Sequence, residues 1–152
     1  MANKRKVVFA NDEIYHLYNH SVGDQEIFLL KNELERALDL INYYRYPQKI
    51  KFSDFKNLSL DKREEYLINV KKQNKNVEIY AFSLMPNHYH LLLKQLINGG
   101  IKTFISNFQN AFAKYYNKKH DRIGSVFTNP FKAKWIESDS IFTHISRYIH
   151  LN

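Results

Sequence analysis

The sequence contains no cysteine among its 152 residues, which excludes disulfide bonds, thiolate nucleophiles and zinc sites built on sulfur. No apolar run approaches the roughly 20 residues that a membrane-spanning helix requires. The basic residues 1–6 precede an apolar stretch of residues 7–10 only, which is too short for the core of a signal peptide. These absences fit a protein of a reducing cytoplasm with no membrane partner.

The composition is that of a folded and strongly basic protein. Apolar residues make up 44% and aromatic residues 15% of the chain, enough for a substantial core in one domain spanning residues 1–152. The formal net charge is +8, from 23 Lys and Arg against 15 Asp and Glu. A basic surface attracts polyanions, so nucleic acid is the first partner class to consider. A basic protein that is simply soluble is the alternative.

The spacing of apolar residues predicts strand, helix, strand, strand, helix, strand, and then a terminal helix. Strands are predicted at residues 13–19, 77–83, 88–95, 125–127 and 131–136, and helices at residues 27–44, 101–118 and 139–152. This order is that of the split β-α-β arrangement, an α+β ferredoxin-like antiparallel sheet with helices on one face. Residues 77–83 are apolar on both faces, which predicts a central strand.

Residues 48–76 are charged and fit neither of the main repeats. Asp61 followed by Glu64 predicts a capping box for a helix that runs to about residue 72. We interpret this segment as a helical elaboration on one edge of the same domain.

The sequence Pro86-Asn87-His88-Tyr89-His90 opens the fourth predicted element. On a strand, His88 and His90 point to the same face and can converge on one metal ion. A turn histidine followed by a partly exposed sheet histidine is the alternative interpretation, and the spacing alone does not decide between them.

The terminal helix carries two stripes of side chains. One is apolar and has the spacing of a core face. The other has strict i, i+4, i+8 spacing and combines an imidazole, a phenol and an amide. The apolar stripe is Phe142, Ile145 and Ile149, and the polar stripe is His144, Tyr148 and Asn152. Tyr148 is a candidate oxygen nucleophile, and a surface tyrosine between core and solvent is the alternative.

Five stretches in the same order resemble the single-tyrosine (HUH) transposases of bacterial insertion sequences, and most of all their REP-associated branch. They are residues 15–19, 84–92, 105–117, 124–127 with 131–133, and 145–152. The resemblance implies a metal motif at His88 and His90, a nucleophile at Tyr148, and a third metal ligand at Asn152. It also implies a divalent ion, Mg²⁺ or Mn²⁺, which suits imidazole and amide donors.

The activity that the resemblance implies is DNA transposition by cleavage and rejoining of single-stranded or hairpin DNA. Tyr148 would attack a phosphodiester to give a 5′-phosphotyrosine and a free 3′-hydroxyl, and the retained bond energy would permit rejoining. His144 or His150 is a candidate base for the tyrosine, and Tyr115 is the second candidate nucleophile. The bacterial cytoplasm, at the nucleoid, is the location expected of such an enzyme. The sequence does not decide between a monomer and a homodimer.

Cations near the predicted site are candidate DNA contacts, because lysine and arginine side chains bind phosphates. They are Lys114, Lys118, Lys119, Arg122, Lys132 and Lys134, together with the N-terminal Lys4, Arg5 and Lys6. Each is also consistent with an ordinary solvated side chain.

The chain departs from the family pattern at three places. His20-Ser21 stands where the family has Arg-Gly, and residues 128–130 stand where it has Gln-Gly-Arg. The family also continues beyond the position of Asn152, so we expect a C-terminal tail to be missing. These departures favour one alternative, a catalytically inactive nucleic-acid-binding protein with the same fold. A metal-dependent hydrolase without a covalent step is a third hypothesis, but no acidic ligand lies near the two histidines in sequence.

Overall fold

Two hydrogen-bonded strands at the centre of a sheet form the frame of the molecule. The computed structural model describes residues 7–152, so the basic residues Lys4, Arg5 and Lys6 lie outside the described residues. The strands are Ile14–His20 (β1), Val77–Met85 (β2), His88–Gln95 (β3) and Lys132–Trp135 (β4). The helices are Lys31–Tyr44 (α1), Phe52–Lys56 (α2), Leu60–Val70 (α3), Gly100–Lys119 (α4) and Asp139–Leu151 (α5).

The sheet has four strands in the order β2-β3-β1-β4, and all of its pairs are antiparallel. The predicted α+β ferredoxin-like class is confirmed. Strand β3, with the two histidines, is central as expected. No helix within residues 7–152 combines the length and the apolarity needed to cross a bilayer.

Side-chain alternation on the central strands divides the core into two layers. Tyr89, Leu91 and Leu93 of β3 belong to the larger cluster, which includes the buried phenylalanines of α4. Leu92 points the other way and packs with Ile149 of α5 in a smaller cluster. The expectation of helices on one face therefore holds for α1 and α4 but not for α5, because the apolar stripe of α5 covers the opposite face.

Strand β2 is an edge strand, so the prediction that residues 77–83 form a central strand is wrong. It pairs with β3 only, and Tyr80 and Phe82 are 39% and 45% exposed. The ring of Tyr80 meets Phe142 of α5 edge-on, with 5.4 Å between centroids. The apolar residues on both faces of β2 therefore reflect helices packed above and below an edge, not strands on both sides.

Helix starts were predicted less well than helix positions. Ser59, not Asp61, caps α3, because its hydroxyl accepts a hydrogen bond from the backbone N–H of Lys62. Helix α1 begins at Lys31, four residues later than expected from the apolar spacing that starts at residue 27. Ser138 caps α5, because its hydroxyl accepts a hydrogen bond from Ile141 N–H at 3.2 Å.

The segment at residues 125–127 is not a strand. It forms one isolated bridge between Ser21 and Phe127, and regular pairing begins only at Lys132. Asn19 explains why this segment leaves the sheet. Its buried side chain bonds to Thr128, both to the carbonyl oxygen and to the hydroxyl, which ties the loop across the end of β1.

Candidate active site

Histidines from the two central strands face the same side of the sheet. In the antiparallel register His88 lies opposite His20, His90 opposite Tyr18, and Leu92 opposite His16. Directly opposite residues share a face, and so do alternate residues along one strand. The structure therefore brings His16 and His20 beside His88 and His90, on the face that also carries α5.

The two histidines of the predicted metal motif are neighbours. Their ring centroids are 5.1 Å apart and the rings are nearly perpendicular. His88 also stacks on His20 at 5.0 Å, and His90 stacks on His16 at 5.2 Å. The outcome is a row of imidazoles in which two central rings are each supported by one ring of β1.

Both central imidazoles are oriented through Nδ1. His88 Nδ1 lies 2.8 Å from Oδ1 of Asn87, and His90 Nδ1 lies 3.0 Å from Nε2 of the buried His16. Because the amide oxygen of Asn87 accepts, His88 carries its hydrogen on Nδ1. If His90 donates in the same way to His16, the Nε2 lone pair of each central ring is available. Metal-binding histidines are commonly fixed by such a hydrogen bond from the other ring nitrogen.

The electrostatics of the cluster keep these rings neutral. Burial lowers the pKa of His16 to about 4, with His90 and Lys134 adding to the effect. Burial also lowers the pKa of His90 to about 4, reinforced by His88 and His20. The pKa of His88 is lowered as well, first by burial and then by His20. At neutral pH the rings are therefore in the uncharged form that metal ligation requires.

Tyr148 on α5 meets this cluster from above the sheet. Its ring stands edge-on to the ring of His90, with centroids 5.5 Å apart, and its side chain is 48% exposed. The position follows from its neighbour Ile149, which is buried against β2 and β3 and fixes the rotation of the helix. The candidate nucleophile and a candidate metal ligand are thus adjacent within one chain.

The other predicted residues of α5 have no ring contact or hydrogen bond with His88 or His90 among the contacts described for residues 7–152. His144 is exposed on the helix surface. His150 lines a groove with Tyr80 and Phe82 at the β2 edge, on a different side of the helix from Tyr148. Asn152 is exposed at the C-cap of α5, where its backbone N–H bonds to Ile149. Its side chain makes no hydrogen bond to either histidine within the described chain.

The predicted DNA-binding cations are divided between two sides of the sheet. Lys132 and Lys134 of β4 lie opposite Tyr18 and His16, so they share the face of the histidines. Lys114 and Lys118 line a groove between α1 and α4, on the opposite face of the sheet. Cations adjacent in sequence therefore do not form one continuous surface.

Two other predicted cations and the second candidate nucleophile have identifiable structural contacts. Lys119 pairs with the buried Glu33, with 3.6 Å between nitrogen and oxygen. Arg122 donates to the side chain of Asn117 and to backbone oxygens of the loop after α4. Tyr115 lies on the helical side, across the sheet from the histidines, with its ring under the guanidinium of Arg36.

The donor set fits part of a divalent metal site. Within residues 7–152, no three or more His, Cys, Asp or Glu side chains are arranged to hold a metal ion. His88 and His90 are two neutral donors on one strand, each with Nδ1 in a hydrogen bond, and His90 offers Nε2 when it donates from Nδ1 to His16. Such a pair suits Mn²⁺ or Mg²⁺ when amide, water or phosphate oxygens complete the coordination.

His16 and His20 belong to the histidine cluster of the candidate site but were not predicted as part of it. They alternate with Tyr18 along β1, as His88 and His90 do along β3, so each strand shows the same signal. What the sequence did not provide was the pairing of β1 with β3 in a register that places these rings together.

Comparisons with known proteins agree with this architecture. The family model described as IS200-like transposase matches residues 48–152, more than half of the chain. The structure resembles a REP-associated tyrosine transposase bound to a REP hairpin, with a TM-score of 0.60 and 10% identity over all of this chain and 72% of that one. It also resembles a putative transposase from Deinococcus radiodurans R1, with a TM-score of 0.52 and 15% identity over 99% of this chain and 97% of the other. A search of curated proteins found no match.

A four-stranded antiparallel sheet with packed helices is the fold that this chain shares with these solved transposases. The chain belongs to the IS200-like transposase family.

Proposed function

We propose that this transposase cleaves and rejoins one DNA strand through a covalent bond to Tyr148. The observation that carries the proposal is the contact between the Tyr148 ring and His90, 5.5 Å between centroids, within one chain. It supports a site in which nucleophile and metal-binding imidazoles act on the same phosphate.

The residues present would divide the work as follows. His88 and His90 would hold a divalent ion, Mg²⁺ or Mn²⁺, with Asn152 as a third protein ligand. An ion held there would supply Lewis-acid polarisation of a non-bridging oxygen of the scissile phosphate. Asn152 is exposed at the end of α5 and would have to move toward the histidines to bind the ion. In the proposal, this movement accompanies DNA binding.

In the proposed reaction the phenolic oxygen of Tyr148 bonds to phosphorus, and the bond from phosphorus to the 3′ oxygen breaks. The 3′ oxygen leaves as a hydroxyl, and the tyrosine gives up its proton. The product is a 5′-phosphotyrosine, which a 3′-hydroxyl of another strand can attack in reverse. An ordinary tyrosine has a pKa near 10, so the reaction requires help with deprotonation. The exposed His144, one turn before Tyr148, is a candidate base.

Hairpin or single-stranded DNA is the proposed substrate. The structure of a fold relative holds a REP hairpin, and a single tyrosine cuts one strand. Lys132 and Lys134 lie on the histidine face, where they would contact phosphates beside the cleaved bond. A protein with this activity would act in the bacterial cytoplasm at the nucleoid.

The test is a covalent adduct that survives denaturation. The protein is incubated with labelled hairpin or single-stranded DNA and Mn²⁺, then separated in denaturing gels. The proposal expects an adduct with the wild type and with Tyr115→Phe, and none with Tyr148→Phe. Wild-type protein that binds DNA but forms no adduct would instead favour the inactive DNA-binding alternative. An adduct that persists in Tyr148→Phe would show that Tyr148 is not the nucleophile.

A further inference from the structure

A second basic surface lies on the face of the sheet that α1 and α4 cover. It is a groove of about 480 Å³ between α1, α2 and α4, across the sheet from His88 and His90. Four cations line it, together with small polar and aromatic side chains. The cations are Arg36, Lys51, Lys114 and Lys118.

The charge in this groove is not compensated by protein carboxylates. No Asp or Glu appears among the groove's lining residues. Within residues 7–152 none of the four cations forms an ion pair with a carboxylate, whereas Lys119, the next lysine of α4, is paired with Glu33. The groove therefore presents an unneutralised positive field to solvent.

The cations are held in different ways that together suit a polyanion. The half-buried Arg36 lies over the ring of Tyr115 at 4.5 Å and near Phe52 at 5.2 Å, which fixes its guanidinium in the groove wall. Lys51, Lys114 and Lys118 are exposed and can follow a flexible chain of phosphates. An arginine held by aromatic rings and flanked by exposed lysines suits several phosphates in a row better than a single compact anion.

Helix stability does not explain Lys114 of α4, whereas Lys118 stands in the last turn, where the helix dipole favours a cation. Lys114 and Lys118 are four residues apart on α4, a spacing at which like charges repel. Amide groups of Asn107 and Asn110 line the same groove and add neutral donors for phosphate oxygens. A phosphate bound between them would offset this repulsion, because it attracts both ammonium groups.

We propose that this groove binds the sugar–phosphate backbone of a DNA segment that lies outside the segment cleaved at Tyr148. The identity of the polyanion rests on the proposed function, because a DNA strand transferase has its substrate at hand. The helix layer and the sheet separate the two surfaces, so one DNA molecule would have to pass around the protein to occupy both. The groove would thereby raise affinity for long substrates without reading base sequence.

The experiment compares two triple variants with the same change in charge. One is Lys51→Gln, Lys114→Gln and Lys118→Gln in the groove, and the other is Lys49→Gln, Lys62→Gln and Lys72→Gln at exposed positions elsewhere. Both carry Tyr148→Phe and are studied without metal, so that only binding is measured. Fluorescence anisotropy gives the Kd for a labelled hairpin with a long single-stranded extension and for the same hairpin with the extension removed, over a series of salt concentrations.

The groove variant should bind the extended hairpin about tenfold more weakly at about 100 mM salt, and the slope of log K against log salt should fall by two to three, roughly one per lost phosphate contact. The control variant should stay within about twofold of the parent, because scattered exposed lysines make few phosphate contacts. The proposal is wrong if both variants lose affinity equally, or if the groove variant loses none. It is also wrong if the shortened hairpin is affected as strongly as the extended one.

This result is independent of the chemistry at Tyr148. Wild-type protein that shows groove-dependent binding but no covalent adduct would refute the proposed function and leave the groove assignment in place. An adduct with the wild type, combined with unchanged binding by the groove variant, would support the proposed function and refute the groove assignment.

Discussion

Replacing His16 tests whether the imidazoles of β1 support the proposed metal ligands. His16 Nε2 lies 3.0 Å from His90 Nδ1, so His16→Leu removes the group that orients His90 while filling much of the same volume. Loss of a buried hydrogen bond of this kind costs about 1–3 kcal/mol. Partners behind metal-binding histidines typically account for about 10–100-fold in metal affinity, which corresponds to about 1.4–2.8 kcal/mol. The first value refers to folding stability and the second to metal affinity, so from the second we expect Mn²⁺ to bind at least about tenfold more weakly.

The assay is titration of the protein with Mn²⁺, followed by electron paramagnetic resonance of the free ion. His16→Gln is the matched variant, because its amide oxygen can still accept a hydrogen bond from His90. It should recover most of the lost affinity, whereas a purely structural role for His16 predicts no difference between leucine and glutamine. Urea unfolding of both variants checks that the fold is retained. Unchanged Mn²⁺ affinity in a folded His16→Leu protein would refute the proposed orientation of His90.

Three further changes test the frame around the site. Asn19→Leu removes four hydrogen bonds made by one buried amide. It should lower the free energy of unfolding, measured by urea titration, by about 3 kcal/mol. A loss below about 1 kcal/mol would contradict the bonds described. Gly100→Ala would press a methyl group against the backbone carbonyl of Asn76. It should lower the free energy of unfolding by about 1–3 kcal/mol, measured in the same way. A neutral or stabilising result would contradict this close packing. Ile149→Ala should lower the free energy of unfolding by about 2–5 kcal/mol, because Ile149 is the buried residue of α5 that packs on the sheet. It should also reduce the adduct yield even where the protein stays folded. The exposed Ile141→Ala is its control on the same helix, and equal adduct yields would contradict the role given to Ile149.

Local spacing predicted most of the fold. The 3.6-residue repeat of α4 and α5 and the alternation on β1 and β3 are properties of single elements, so the sequence carries them directly. The edge position of β2 was not predictable in the same way. Its two apolar faces have the pattern of a central strand, but α5 covers one of those faces, and that contact joins residues far apart in sequence.

The site was predicted in part for the same reason. His88 and His90 belong to one strand, so their common face follows from alternation alone. The support from His16 and His20 depends on the register between β1 and β3, which only the folded chain reveals. The division of the cations between two sides of the sheet is likewise a matter of topology, because β4 and α4 are neighbours in sequence but lie on different layers.

The central claim is that Tyr148 forms the covalent bond to DNA beside the histidines of its own chain. Mass spectrometry can test it directly after the denatured adduct is trimmed with nuclease and the protein is digested. We expect nucleotide mass on the peptide that begins after Arg147 and contains Tyr148. Nucleotide mass on the peptide of Tyr115, or on any other residue, would contradict it.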